Sequence, residues 1–266
     1  MRLMQPRGQI AEQYAHVLTR LVHSFFKHTS KSVLLLGPRQ TGKSTLIQSL
    51  APEMEINLAS EDIFLQFSRN PRALEELLEA ENPRTIFIDE IQRLPSLMNT
   101  LQVLIDEGRG KRKFYLTGSS ARKLRRGHAN LLPGRILKFD LGPLTFDEIP
   151  NFDLQRALAE GTLPGIYTEL SRGIRRAMLT SYAGTYLKEE IQAEALTKNI
   201  EGFSRFFFLE VSADRIGGLF EHLFFTQLRH GASAHAIELR ISTFQTQAAR
   251  KWISSSREAP IDGLLN

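Results

Sequence analysis

Short unbroken apolar runs alternate along the chain with segments whose apolar residues recur at helical spacing. Residues 32–36 (Ser-Val-Leu-Leu-Leu) end at a glycine and read as a strand buried on both faces. Residues 54–58, 85–88 (Thr-Ile-Phe-Ile), 113–117 (Lys-Phe-Tyr-Leu-Thr) and 135–141 give four further strands. Between them, residues 44–50 read as a helix that stops before Pro52. Residues 63–80 read as a helix interrupted near Asn70-Pro71, and 97–106 as an amphipathic helix. Upstream, Val17, Leu18, Leu21, Val22, Phe25 and Phe26 are spaced as one helical face. Strands alternating with helices across 32–141 predict an α/β fold, a three-layer core with a mainly parallel sheet and right-handed crossovers. After Phe152 the texture becomes helical, at 154–160 and 172–199, with a turn at 161–165 between them.

Composition narrows the possibilities. The 266 residues are 42% hydrophobic and 24% charged, ordinary for a globular chain. There is no cysteine, which excludes disulfides, zinc ribbons and thiol catalysis and fits a reducing, cytoplasmic setting. No apolar run approaches membrane-spanning length, and Arg2 and Arg7 have no apolar segment behind them, so neither a membrane helix nor a secretory signal is expected. His230 and His235 are five apart, and no HExxH pattern occurs. The net charge of +5 is unevenly spread: ten Lys and Arg fall between Gly108 and Phe139 with no Asp or Glu. That block reads as a surface facing phosphate or nucleic acid, or as a solvated face beside a nucleotide site.

The strongest chemical signal is Gly37-Pro38-Arg39-Gln40-Thr41-Gly42-Lys43-Ser44, a full GxxxxGK[ST] match between a predicted strand and a predicted helix. A chance match in a chain of this length is on the order of one in a hundred. The glycines let successive N–H groups point inward at phosphates, and a helix N-terminus favours negative charge. Residues 37–45, Thr45 included, are the expected nucleotide contacts, with Lys43 on the β- and γ-phosphates and the Ser44 hydroxyl on Mg²⁺. The run Ile86-Phe87-Ile88-Asp89-Glu90 ends a hydrophobic strand, expected next to the P-loop strand, in two acids. Asp89 is assigned to Mg²⁺ and Glu90 to the base that polarises water. In P-loop enzymes the strand lying between the two motif strands often ends in a polar side chain that senses the γ-phosphate. Strand 113–117 is read as that strand, with Thr117 and Ser119 as sensor candidates, Ser119 or Ser120 being equally readable as a helix N-cap. Arg39 and Arg135 are candidate phosphate contacts, and Arg122 a candidate arginine finger acting in trans.

The segments GPRQTGKSTL, TIFIDEIQRLPSLMNTLQVLID, FYLTGSSARKLRRGHANLLPGR and PLTFDEI, in this order, resemble bacterial AAA+ superfamily ATPases whose N-terminal ATPase domain is joined to a C-terminal domain of unknown function. GTLPGIY, SYAGTYLKEEIQAEALTKNIEGFSRF and GLFEHLFFTQLR are similar to pieces of that C-terminal region. The resemblance implies an AAA+ core with Gly37 to Thr45 on ATP and Asp89 and Glu90 as the acidic pair for Mg²⁺ and hydrolysis. It makes self-association an expectation; it does not name the client, protein or nucleic acid. The chain departs from the family pattern in two places. Only residues 207–216 stand where the family carries a long segment, and the family's Glu-Val-Asp-Phe-like strand pair is replaced after Thr246. Back-translated with permitted codon choices, 248–256 read one frame over gives Gly-Ala-Glu-Val-Asp-Phe-Ile-Ile, so the expectation is a frameshift near Ala248 with an out-of-frame, disordered tail beyond it. The expected organisation is an N-terminal helix (1–30), a P-loop ATPase domain (31–150), a truncated helical region (151–212) and a C-terminal remnant (213–266). Alternatives to an ATPase are an ATP-binding switch or scaffold with little turnover, a nucleic-acid binder using the basic segment 109–138, and a decayed product with an intact ATPase end.

Overall fold

The computed structural model describes residues 20–108, 111–119, 124, 132–186, 216–235, 239–245 and 251–257. Five parallel strands form one sheet: β1 (Ser32–Leu36), β2 (Met54–Asn57), β3 (Thr85–Asp89), β4 (Lys113–Gly118) and β5 (Ile136–Asp140). Their order across the sheet is β2-β3-β4-β1-β5. β4, the strand that ends in the sensor candidates, lies between β1 and β3 as expected, pairing Leu35 with Thr117 and Ile88 with Leu116. The acid-bearing β3 is therefore one strand removed from the P-loop strand rather than next to it.

Strand side chains alternate between faces, so each strand feeds two cores. Leu34, Leu36, Ile86, Ile88, Phe114 and Leu116 pack on one face. They meet α3 (Glu61–Arg69), α4 (Ala73–Glu81) and α5 (Leu97–Gly108) through Phe67, Leu74, Leu78, Met98 and Leu101. Val33, Leu35, Phe87 and Tyr115 pack on the other face, against α1 (Val22–His28) and α2 (Lys43–Gln48) through Val22, Phe26, Leu46 and Ile47. Both faces of a parallel sheet are thus covered, the three-layer arrangement that the continuous apolar runs require. The helix expected over 63–80 is two helices, α3 and α4, divided where Asn70-Pro71 breaks the hydrogen-bond ladder.

Beyond β5, a 3-10 turn at Phe146–Glu148 is closed by a Thr145/Glu148 capping box. It leads to α6 (Leu154–Glu160), N-capped by the Asp153 carboxylate on the Arg156 N–H at 3.1 Å. The turn expected over 161–165 is shorter than expected, because Pro164 opens a helix, α7 (Pro164–Thr168), where its fixed φ suits the first position. Then follow α8 (Arg172–Tyr186) and α9 (Ile216–Ala234). The helix expected to run on to 199 lies outside the described residues past Tyr186.

The expectation of a disordered tail is corrected over part of its length. Lys251–Arg257 forms β7, antiparallel to β6 (Leu239–Gln245), with Phe244 opposite Trp252. β-branched and aromatic residues at 252–253 favour a strand, and pairing satisfies backbone groups that a tail would leave to water. A strand pair therefore follows the GLFEH motif here, where the departure from the family pattern predicted none.

Candidate functional site

β1 and β4 end side by side, and the glycine-rich loop starts there. The Gly37 N–H donates to the Gly118 carbonyl at 3.2 Å. Gly37 has φ 149°, and a Cβ there would lie 2.0 Å from the Leu141 carbonyl oxygen, so the turn admits no side chain. Gln40 and Gly42 both have positive φ, 62° and 83°, which reverses the chain into α2. The buried Thr41 hydroxyl donates to the Pro38 carbonyl at 2.9 Å and closes the loop. Pro38, Arg39 and Gln40 are exposed at its crest, and Thr45 is half-buried in the first turn of α2. α7 begins beside this loop: a Cβ on Gly42 would meet Pro164 Cγ at 3.9 Å.

Lys43 is 6% exposed, and its ammonium donates to the Gly37 and Pro38 carbonyls at 2.8 and 2.7 Å. Its charge is thereby fixed against the loop's own backbone. The Ser44 hydroxyl, next in the chain, lies 3.0 and 2.9 Å from the two Asp89 carboxylate oxygens. Asp89 Oδ1 also accepts the Glu90 N–H at 3.1 Å and a short bond from the Thr117 hydroxyl. β4, between the two motif strands, thus supplies a side chain that holds Asp89, while Ser44 reaches Asp89 directly from the P-loop helix. Glu90 adopts left-handed backbone at φ 58°, and its carboxylate accepts a short bond from the Gln92 amide. The Gln92 amide oxygen in turn accepts the Ser119 N–H at 3.2 Å.

The structure separates the sensor candidates. Thr117 is fully buried and its hydroxyl is spent on Asp89. Ser119 sits at the tip of β4 with a buried hydroxyl that has no hydrogen-bond partner among the described residues, so it caps no helix there. Arg135 is corrected. It precedes Ile136, which pairs with Ser32 at the opposite end of the sheet from Gly37, and its Nε binds Asp106 at 2.6 Å. At about 3.3 Å per residue, that is roughly 17 Å along β1 from the loop. Arg122 and Ser120 lie outside the described residues.

The basic block is also corrected where it is described. Arg112 donates to the Leu78 carbonyl and the Asn82 side chain, at 3.1 and 3.2 Å. Lys113 donates to the Phe26 and Thr29 carbonyls at 2.6 and 2.5 Å and lies over the Tyr115 ring; burial holds its pKa below the ordinary lysine value. Lys138 pairs with Asp140 at 3.2 Å. These cations serve the fold rather than an external anion. The remainder of the block, Lys111 excepted, falls outside the described residues.

Three residues that the sequence did not single out belong to the site's surroundings. Gln92 follows the acidic pair by two positions and links it to β4. Arg20 is 5% exposed; its Nη1 donates to the Thr41 carbonyl at 2.9 Å and its Nη2 to the Gly142 carbonyl at 3.0 Å. Arg20 Nε binds Glu148 Oε1 at 2.9 Å, in a pair almost wholly shielded from water. Burial lowers the Arg20 pKa, while the charge and hydrogen bond of Glu148 act against that shift. Thr145-x-x-Glu148 is a capping-box signature that was readable in the sequence; Arg20 carried no comparable signal.

Comparison with known proteins comes to the same region. Residues 29–150 match the model of the AAA domain family. Uncharacterized proteins of Mycobacterium tuberculosis and Mycobacterium bovis are each 30% identical over 167 residues, covering 62% of this chain and 37% of their own length. An uncharacterized Haemophilus influenzae protein is 28% identical over 155 residues, 51% of this chain and 38% of that protein. The chain therefore spans well under half the length of the relatives it matches. Domain III of the Thermotoga maritima replication initiation protein DnaA is a looser structural likeness, at 15% identity and a TM-score of 0.35, covering 84% of this chain and 94% of that domain. The stretch 29–150 is thus similar to AAA domains, and the glycine-rich loop of this site lies within it. Among the described residues, no helix is long and apolar enough to cross a membrane.

Proposed function

Taking the AAA-type domain as the premise, we propose that the chain binds ATP with Mg²⁺ at residues 37–45 and hydrolyses it, with Glu90 as the base. The observation that carries this reading is the direct approach of the Ser44 hydroxyl to the Asp89 carboxylate, 2.9 Å, beside a P-loop whose lysine is already in place. A hydroxyl and a carboxylate are hard oxygen donors, and Mg²⁺ is characteristically held by one or two such groups together with substrate phosphates. Ser44 and Asp89 would hold Mg²⁺, which would supply positive charge to offset that of the phosphates. Lys43 exchanges its two loop carbonyls for phosphate oxygens. Thr117 keeps Asp89 oriented. The unpartnered Ser119 hydroxyl supplies a donor at the head of β4, in reach of the segment that carries Glu90. Glu90 accepts the proton of the attacking water once Gln92 yields its carboxylate. The P-loop is built within one chain, while a finger acting in trans requires a second copy, so the self-association expected from the superfamily resemblance belongs to this proposal.

Binding without turnover is the second reading, and the Gln92 amide on the Glu90 carboxylate favours it. Phosphate release from ATP with Mg²⁺, measured beside equilibrium binding, separates the two. Lys43→Ala is expected to lose binding. Glu90→Gln is expected to keep binding and lose turnover by about 10²–10⁴-fold. Turnover equal to the parent in Glu90→Gln would sink the assignment of the base, and binding with no turnover in the parent chain itself supports the switch.

A further inference from the structure

The Arg20 guanidinium joins the P-loop to the segment on which the C-terminal helix seats. On one side it holds the backbone of the loop, at the Thr41 carbonyl, 2.9 Å away. On the other it holds the segment after β5, at the Gly142 carbonyl (3.0 Å) and the Glu148 carboxylate (2.9 Å). Glu148 spreads the grip: its Oε1 accepts the Leu21 N–H at 2.9 Å and its Oε2 the Thr145 N–H at 3.0 Å.

α9 seats on that same segment. Gln227, 7% exposed, donates to the Leu144 carbonyl at 3.1 Å and accepts the Phe146 N–H at 2.7 Å. Ser233 donates to the Asp140 carbonyl at 2.9 Å. His230 lies flat against Gly142, where a Cβ would come within 2.1 Å of its ring. Residues 140–148 are thus held from both sides by polar, directional contacts. A buried ion pair adds little net stability over a well-packed apolar substitute. An apolar substitute at Arg20, however, would leave the Thr41 and Gly142 carbonyls without this donor.

We propose that the Arg20–Glu148 pair couples the P-loop to α9, with Arg20 a positioning residue that holds the loop backbone and transmits its state to the 140–148 segment on which α9 docks. Nucleotide at the P-loop and docking of α9 then favour each other, and linkage makes the effect reciprocal. The proposal rests on ATP binding at the P-loop, and the test separates the two. AMP-PNP with Mg²⁺ is titrated into the full chain, Gln227→Ala and Arg20→Lys, each checked for unchanged secondary structure. Hydrogen exchange of the α9 amides is followed with and without AMP-PNP. In the parent, AMP-PNP is expected to slow exchange in α9. Gln227→Ala, distant from the phosphates, is expected to weaken AMP-PNP binding about tenfold. Arg20→Lys keeps the charge but loses the fork, and is expected to abolish the α9 response. AMP-PNP binding within twofold of the parent in Gln227→Ala, with α9 exchange indifferent to nucleotide in the parent, overturns the coupling and leaves ATP binding standing. Failure of the parent to bind AMP-PNP overturns both. Should Arg20→Lys not fold, the Gln227→Ala titration and the parent's exchange decide the matter.

Discussion

A methyl group on residue 37 would overlap the Leu141 carbonyl oxygen, 2.0 Å from the Cβ position, in a backbone at φ 149°. Gly37→Ala is expected to cost about 1–3 kcal/mol in backbone strain alone, visible as a lower urea midpoint together with lost AMP-PNP binding. At Glu90 the local contact is with Gln92. If that amide restrains the base, Gln92→Ala raises kcat without changing ATP affinity; an unchanged or lower kcat argues against a latch. His230 gives a pH effect with a definite sign. Burial, then the charges of Arg229 and Arg20, push its pKa from 6.5 down to about 4, against weaker opposite pulls from Glu148 and Asp140. Between those values the unfolded chain binds the proton and the folded chain does not. His230 therefore favours the fold fully above about pH 6.5, and that contribution is lost as pH falls toward 4. Urea midpoints at pH 7 and pH 5 should fall further for the parent than for His230→Asn.

Among elements, β4 has the most to hold. It pairs with β1 and β3, sends Phe114 and Leu116 into one core and Tyr115 into the other, and ends at Thr117 and Ser119 beside the acids. Phe114 is fully buried, so Phe114→Ala is expected to destabilise by about 3–5 kcal/mol in denaturant titration. The start of the same strand fastens α1. Lys113 and the Tyr115 hydroxyl both donate to the Phe26 carbonyl near the end of that helix, and α1 follows directly on Arg20. An edge strand could not connect so many parts.

For the whole molecule, a ligand that binds only the folded chain raises its stability by mass action. At a hundred times Kd, ATP with Mg²⁺ is expected to add about 2.7 kcal/mol, and Lys43→Ala to remove the gain. Scanning calorimetry with and without nucleotide checks both. If α9 is coupled to the P-loop, its unfolding joins the same transition in the presence of nucleotide; separate transitions speak against the coupling.

The sequence alone determined the parts whose physics is local. A glycine-rich reversal between strand and helix, strands apolar throughout because both faces are covered, a helix break at Asn70-Pro71 and two acids at a strand end each depend on neighbours within a few residues. Tertiary structure decided what depends on distant partners. It turned Thr117 toward Asp89, drew Arg135 to Asp106, and satisfied Arg112 and Lys113 on backbone carbonyls, so that much of the described basic block serves the fold. It also brought Arg20 to Glu148, 128 positions away, and set the pair between the P-loop and α9. A charged side chain's role is fixed by what can reach it once water is excluded, and one-dimensional spacing does not carry that information.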